Sequence, residues 1–162
     1  VSGKAGALQG DPLEHQGGRM VLHRGSTSAK LMIVGEAPGA EEDRLGKPFV
    51  GRSGEMLNRI LESVNISSET DVYVTNLVKR RPPNNRDPTE EEIHFYLPWL
   101  EAQMRALRPH TVLLMGRIAM RAVLGETRGI TKVHGAWYFS GDGHTAIMPL
   151  YHPSYLLRNP DR

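Results

Sequence analysis

The sequence contains no cysteine among its 162 residues. A chain without thiols cannot form a disulfide, a thiol nucleophile, a thiolate zinc site or a cysteine-held iron–sulfur cluster. The sequence also lacks any apolar run close to the roughly 20 residues that a membrane-spanning helix needs. Residues 1–10 lack the apolar stretch of a secretory signal peptide. We therefore expect a cytoplasmic protein that has no membrane partner.

Charge is also close to balanced, with 20 Lys and Arg against 18 Asp and Glu. The formal net charge of +2 permits nucleic acid as a partner but does not require it. The apolar fraction of 39% argues against a disordered chain. A chain of this length fits one domain. We expect a single domain over residues 1–162, with residues 1–29 forming an irregular, Gly-rich N-terminal arm.

Short apolar runs alternate along the chain with segments of helical periodicity. The runs 31–34, 72–74 and 111–115 predict buried strands, and two further short strands flank a turn at 140–144. Helices are predicted over 53–64, over 117–124, and from a capping box at Thr89, with Pro98 expected to kink or split that helix. The alternation predicts the α/β class: a three-layer α/β/α sandwich with a central, mainly parallel four-stranded sheet.

Ligands of such sheets bind at the carboxyl ends of the strands. The tight turn at 35–39 follows the first predicted strand and can aim Glu36 into a cleft. Asn76 ends the second strand, and its amide combines a donor with an acceptor, which suits a nucleobase edge. A surface Glu on an ordinary turn and a turn-capping Asn are the plain alternatives.

Three other segments could carry function. Phe49 lies in a loop between two glycines, where its ring can stack on a base or simply fill the core. Four cations around a Pro-rich loop suit either phosphate contact or solvent: Lys79, Arg80, Arg81 and Arg86. The segment 152–158 has little helical or strand period and predicts a loop, either structural or DNA-wedging. The acidic run at 41–43 is predicted to be a solvated face.

Five segments, in this order and spacing, resemble the family-4 uracil-DNA glycosylases. They are 35–39 with Glu42 and Asp43, 46–51, 75–83, 130–138 and 152–160. The resemblance implies that Glu36 positions or activates a water and that His152 contacts a uracil oxygen. It implies a substrate site with Gly35, Ala37, Phe49 stacked on uracil and Asn76 on the pyrimidine edge. It also implies DNA contacts from Lys79, Arg81, Ser154 and Arg158.

The chain departs from that family at the metal site. The family holds a four-iron cluster on four cysteines, and the corresponding positions here are Leu8, Asp11, Arg80 and Tyr96. We therefore expect no cluster, no other cofactor and no metal. We predict that an ion pair between Asp11 and Arg80, together with packing of Leu8 on Tyr96, replaces the cluster as the link that holds the N-terminal arm in place.

The resemblance and the chemistry of the segments predict a monofunctional DNA glycosylase of base-excision repair. Cleaving an N-glycosidic bond builds positive charge on the sugar and negative charge on the base, which calls for a carboxylate and a donor. The expected partner is uracil-containing DNA, the product is free uracil, and we expect a monomer. Two alternatives stay open: a catalytically weak or inactive DNA- or nucleobase-binding module, and a glycosylase for another lesion such as hypoxanthine or xanthine.

Overall fold

The computed structural model describes residues 10–16 and 18–159. Six strands form one sheet, and their bounds are β1 Arg24–Gly25, β2 Leu31–Gly35, β3 Val72–Asn76, β4 Thr111–Met115, β5 Tyr138–Phe139 and β6 Ala146–Leu150. Their order across the sheet is β1-β3-β2-β4-β6-β5. The four central strands run parallel, and β1 and β5 add antiparallel edges.

The predicted α/β class with a mainly parallel sheet is confirmed, but the predicted count of four strands is wrong. The two edge strands are each only two residues long. β5 coincides with one of the short strands predicted beside the turn at 140–144, whereas β1 was not predicted, because a strand that short has no measurable alternation of side chains. β1 also lies inside the predicted arm, where Leu13 and Val21 are buried. The described part of the arm is therefore not wholly irregular, and residues 1–9 lie outside the described residues.

Six α-helices and two short 3₁₀ helices connect the described strands. The α-helices are α1 Ala40–Leu45, α2 Arg52–Ser63, α3 Glu90–Leu107, α4 Arg117–Leu124, α5 Ile130–Val133 and α6 Pro153–Arg158, and the 3₁₀ helices are Glu14–Gln16 and Pro83–Asn85. The predicted capping box is confirmed, because the Thr89 side chain accepts from the Glu92 N–H and the Glu92 carboxylate accepts from the Thr89 N–H. None of the helices within the described ranges is long and apolar enough to cross a membrane.

α3 runs through Pro98 as one helix, so the split predicted there does not occur. The missing N–H of a proline removes one helical hydrogen bond. Tyr96 and Leu100 flank that position and are fully buried, and this packing offsets the lost hydrogen bond so that the helix continues.

Buried side chains lie on both faces of the sheet, which makes the predicted three layers. Met32 and Val34 face a core that contains Leu100 of α3, whereas the intervening Ile33 faces a second core with Leu57 of α2. This alternation is what a period of two residues imposes on a strand. The carboxyl ends of β2, β3, β4 and β6 consequently meet along one edge, between the two helical layers.

Asp11, Arg80 and Tyr96 form one buried polar cluster. Arg80 Nε lies 2.9 Å from Asp11 Oδ2, which confirms the predicted ion pair, and the Tyr96 hydroxyl donates to the same carboxylate oxygen. Asp11 Oδ1 accepts from the Leu13 N–H at 2.8 Å. Burial, followed by the nearby Asp11 carboxylate, raises the pKa of Tyr96, so the phenol keeps the proton it donates. Tyr96 thus acts through its hydroxyl, and its predicted partner Leu8 lies outside the described residues.

These residues do not fit an iron–sulfur cluster. The cluster of the family needs thiolate ligands, whereas the donor groups at the three described positions are a carboxylate, a guanidinium and a phenol that already satisfy one another. The polar cluster instead joins the N-terminal arm, the segment after β3 and helix α3.

Removing the carboxylate of this cluster should destabilise the fold. Asp11→Ala leaves the Tyr96 hydroxyl and the Arg80 guanidinium without their shared acceptor, and breaking a buried pair in this way costs about 3 kcal/mol. For a chain of this size the expected loss of Tm is about 6 to 12 °C. Glu41→Ala is the matched control, since that carboxylate pairs with Arg44 at an exposed site and Tm should hardly move. Equal Tm values for Asp11→Ala and wild type in a thermal melt would contradict this role.

Candidate active site

A cavity of about 480 Å³ opens at the carboxyl edge of the parallel strands. It lies where loops from β2, β3 and β6 converge, which is the expected ligand position for an open α/β sheet. Its lining residues are Ala37, Gly39, Glu42, Phe49, Ser53, Asn76, Asn85, His152, Ser154 and Arg158.

Phe49 contributes an aromatic wall to this cavity. Its side chain is 6% exposed, and its ring lies 5.8 Å from the ring of His152 with an interplanar angle of 27°. A Cβ atom at Gly35 would lie 2.4 Å from the Phe49 ring and equally close to Asn76 Oδ1. Only glycine at position 35 therefore lets the ring and the amide approach each other.

Asn76 is the last residue of β3 and is 2% exposed. Within the described residues its side-chain amide has no hydrogen-bond partner, so both its donor and its acceptor remain available to a ligand in the cavity. Its main chain is fixed instead, because the Lys79 ammonium donates to the Asn76 carbonyl. The amide is therefore held in place by its backbone and left free at its tip.

His152 is the N-cap of helix α6, which spans Pro153–Arg158, so the loop predicted over 152–158 is wrong from residue 153 onward. Its Nδ1 accepts from the Ser154 N–H at 3.1 Å and lies 2.8 Å from Ser154 Oγ. This cap, with Pro153 at the first helical position, starts a six-residue helix that is too short to show a helical period. Burial lowers the pKa of His152 to about 4, with the Arg158 charge as a smaller cause. The neutral ring, with Nδ1 accepting, carries its proton on Nε2.

Glu36 borders a neighbouring cleft of about 140 Å³, which shares Ala37, Gly39, Asn85 and His152 with the main cavity. Glu36 Oε2 accepts from the Ile118 N–H at 3.3 Å. A Cβ atom at Gly116 would lie 2.7 Å from Glu36 Oε2 and 3.3 Å from His152 Cβ, so both side chains flank the same glycine. Burial raises the pKa of Glu36 above its ordinary value, and the hydrogen bond from the Ile118 N–H lowers it by a smaller amount.

The residues predicted to contact DNA do not all reach the surface. Ser154 and Arg158 line the cavity, and Arg81 lies beside it with its Nε donating to Asn85 Oδ1 at 2.7 Å. Lys79, however, is 1% exposed, and its ammonium donates at 2.6 Å to Gln103 Oε1. Burial lowers the pKa of Lys79 to about 7. The prediction of a DNA contact at Lys79 is therefore wrong: this side chain fixes the end of β3 from inside the core.

Sequence reasoning missed Glu42, which it assigned to a solvated face. One Glu42 oxygen accepts from the Gly39 N–H at 3.0 Å, and the other accepts from the Val50 and Gly51 N–H groups at 2.9 Å. The carboxylate thus ties the turn after β2 to the loop that carries Phe49. The available signal was the spacing of three residues between Gly39 and Glu42, which is that of a capping box.

The carboxyl edge of the sheet thus combines an aromatic wall, a free amide and a neutral imidazole, an arrangement that can stack on a flat heterocyclic base and hydrogen-bond its edge. Comparison with known families agrees: the model of the Uracil DNA glycosylase superfamily matches residues 22–162. The chain belongs to the uracil-DNA glycosylase superfamily and is a family-4-like member of it.

Similarity to type-4 enzymes extends over most of the chain. The chain is 42% identical to the Type-4 uracil-DNA glycosylase of Saccharolobus solfataricus, over 84% of this chain and 66% of that protein. It is 41% identical to the Type-4 uracil-DNA glycosylase of Thermotoga maritima, over 91% of this chain and 77% of that protein. The chain is 39% identical to the Type-4 uracil-DNA glycosylase of Archaeoglobus fulgidus, over 84% of this chain and 71% of that protein. The chain thus spans about two thirds to three quarters of the length of these relatives.

Proposed function

We propose that the protein is a monofunctional uracil-DNA glycosylase that hydrolyses the N-glycosidic bond of uracil in DNA. The observation that carries the proposal is one cavity lined by Phe49, Asn76 and His152, with Glu36 in the adjoining cleft that shares His152. The names of the type-4 relatives support the same activity. It is a reaction of base-excision repair, which leaves free uracil and an abasic site.

Binding requires the base to leave the duplex, since the glycosidic bond is out of reach inside the stack. The extruded uracil stacks on the Phe49 ring, and the Asn76 amide pairs with the polar edge of the base. Gly35 and Ala37 line the approach without bulk. Ser154 and Arg158 contact the DNA strand at the cavity rim, and Arg81 meets phosphate beside it.

Hydrolysis replaces the bond from C1′ to the uracil nitrogen with a bond from C1′ to a water oxygen. Positive charge grows on the sugar as the bond lengthens, and the Glu36 carboxylate stabilises it while orienting the water. The electron pair leaves with the uracil, and the His152 Nε2–H donates a hydrogen bond to the carbonyl oxygen on which the negative charge collects. Water supplies the hydroxyl of the abasic sugar, and its proton balances the charge of the departing base.

A neutral His152 suits this role. With its pKa lowered to about 4, the ring is uncharged near neutral pH. The Ser154 N–H holds Nδ1 as an acceptor, so Nε2 is the nitrogen that donates. The donor is therefore in place before the reaction, with no reorganisation needed as charge develops.

The proposed enzyme is a monomer and a single domain that works in the cytoplasm. One chain supplies every residue assigned to the cavity, from the ends of the strands of one sheet and from the loops and helices that follow them.

The test is uracil release from a uracil-containing oligonucleotide, followed as alkali-labile strand breaks. The wild type should produce breaks, and Asn76→Ala should lower the rate about 10- to 100-fold, because the polar edge of the bound base loses its partner. Asn65→Gly is the matched control, since Asn65 is exposed in a turn after α2 and Gly tolerates its positive φ of 63°.

The outcomes separate the open alternatives. DNA binding without strand breaks would show that the protein is a binding module of the same fold and not an active glycosylase. Breaks with hypoxanthine or xanthine but not with uracil would show that the enzyme is a glycosylase for those bases and not for uracil. Full activity in Asn76→Ala would refute the assignment of the base-reading amide.

A further inference from the structure

The backbone of Phe49 adopts an unusual conformation. Its φ is +54°, in the left-handed region that bulky side chains rarely occupy. Such a conformation persists only where the surrounding structure enforces it, and it is found preferentially at functional sites. Because Phe49 carries the aromatic wall of the cavity, the groups that enforce this backbone also set the position of the ring.

Arg24 holds both carbonyls that flank the Cα atom of Phe49. Its Nε donates to the Pro48 carbonyl at 2.7 Å, and its Nη2 donates to the Phe49 carbonyl at 3.1 Å. The same Nη2 donates to Asn58 Oδ1 at 2.9 Å, and Nη1 reaches the Ser68 carbonyl at 3.4 Å. The φ and ψ angles of Phe49 set the directions of the first two carbonyls, so one planar guanidinium that binds both fixes the local backbone.

Other contacts hold the N–H groups of this segment and pack it against α2. Glu42 accepts from the two N–H groups that follow Phe49, at Val50 and Gly51. A Cβ atom at Gly54 would lie 1.8 Å from the Phe49 carbonyl oxygen, which shows how closely the segment packs on α2. Arg24 is therefore the cationic half of a two-sided clamp on the segment that carries the ring.

Arg24 also couples this segment to the strand that carries Asn76. It lies in β1, where it pairs directly with Val74 of β3, two residues before Asn76. Arg24 consequently links the segment that carries the stacking ring to the strand that carries the reading amide.

We infer that Arg24 is a positioning residue for uracil binding, which orients Phe49 against Asn76 and His152 without touching the substrate. This inference rests on the proposed function and adds a residue to it. A group that only stabilised the loop would change the melting temperature. A positioning group changes turnover through Phe49 and loses its effect when the ring is gone.

The test is a double-mutant cycle on uracil release with Arg24→Met and Phe49→Leu. Arg24→Met should lower kcat about 10- to 100-fold, because a small misplacement of the base is costly. KM for DNA should stay within about twofold, since phosphate contacts arise elsewhere. In the Phe49→Leu background, Arg24→Met should change kcat by less than about threefold. Arg24→Lys, which keeps the charge but not the planar fork, should fall between wild type and Arg24→Met.

Arg44→Met is the matched control, because Arg44 is exposed and pairs only locally with Glu41; it should behave as wild type. An unchanged kcat in Arg24→Met, or the same fold-change in both backgrounds, would overturn the inference while leaving the glycosylase assignment intact. An inactive wild type would instead refute the proposed function. Crystal structures of the wild type and Arg24→Met test the role of Arg24 without an assay. A negative φ at Phe49 in Arg24→Met would support the inference. A retained positive φ with the Phe49 ring in its native position would overturn it.

Discussion

Glu36→Gln is expected to lower kcat for uracil release by about 10²- to 10⁴-fold. The amide keeps the size of the side chain but removes the negative charge that stabilises the positively charged sugar. The carboxylate also lies in the cleft that adjoins the cavity, from which it can orient the attacking water. The substitution leaves Phe49, Asn76 and the DNA contacts in place, so KM should change much less than kcat.

The pH dependence of the wild type should identify the same group. Burial raises the pKa of Glu36 above its ordinary value of 4.5. Only the ionised form is active, so activity should be full at neutral pH and should fall as the pH drops through that raised pKa. In Glu36→Gln this acid limb should disappear until His152 begins to take up a proton near its pKa of about 4.

Glu62→Gln serves as the control for both measurements, because Glu62 is exposed near the end of α2 and also loses one carboxylate. Its kcat and acid limb should match those of the wild type. Persistence of the acid limb in Glu36→Gln would assign the titration to another group and remove Glu36 from the mechanism.

His152→Phe is expected to lower kcat by about 10²- to 10³-fold, the usual effect of removing one donor from a developing oxyanion. Phenylalanine keeps a ring next to Phe49, where the two rings are 5.8 Å apart in the native protein. The substitution therefore removes the Nε2–H donor, together with the Nδ1 cap of α6, but keeps a ring in the cavity wall. Since His152 is neutral well above pH 4, the fold-loss should be constant around neutral pH.

A second histidine provides the control for that substitution. His110 is exposed near the start of β4, at the opposite edge of the sheet from the cavity. His110→Phe should leave kcat unchanged. If His152→Phe retained wild-type kcat, or if its loss vanished below neutral pH, the negative charge on uracil would be stabilised by another group.

Much of the site was predictable because it follows from strand ends. Apolar runs located β2 and β3, and the residues directly after a buried parallel strand must lie at its carboxyl edge. That argument brings Glu36 and Asn76 together without any knowledge of loop structure. His152 follows β6 by the same logic, although the short helix that it caps left no periodicity to detect.

Other features depend on contacts between distant parts of the chain, which no local pattern reveals. A lysine within a basic segment is ordinarily solvated, yet Lys79 is buried because Gln103, on α3, supplies an acceptor from inside the core. No sequence pattern indicated the role of Arg24 either. Its role depends on a two-residue edge strand and on carbonyls about 24 positions further along the chain.

The cluster of Asp11, Arg80 and Tyr96 has a consequence for how the protein matures. A site joined by a carboxylate, a guanidinium and a phenol is complete as soon as the chain folds, because every group is encoded and none must be delivered. Oxidants that destroy thiolate-bound iron have no sulfur ligand to attack there. At this junction, one ion pair and the hydrogen bonds around it hold the N-terminal arm to the rest of the fold.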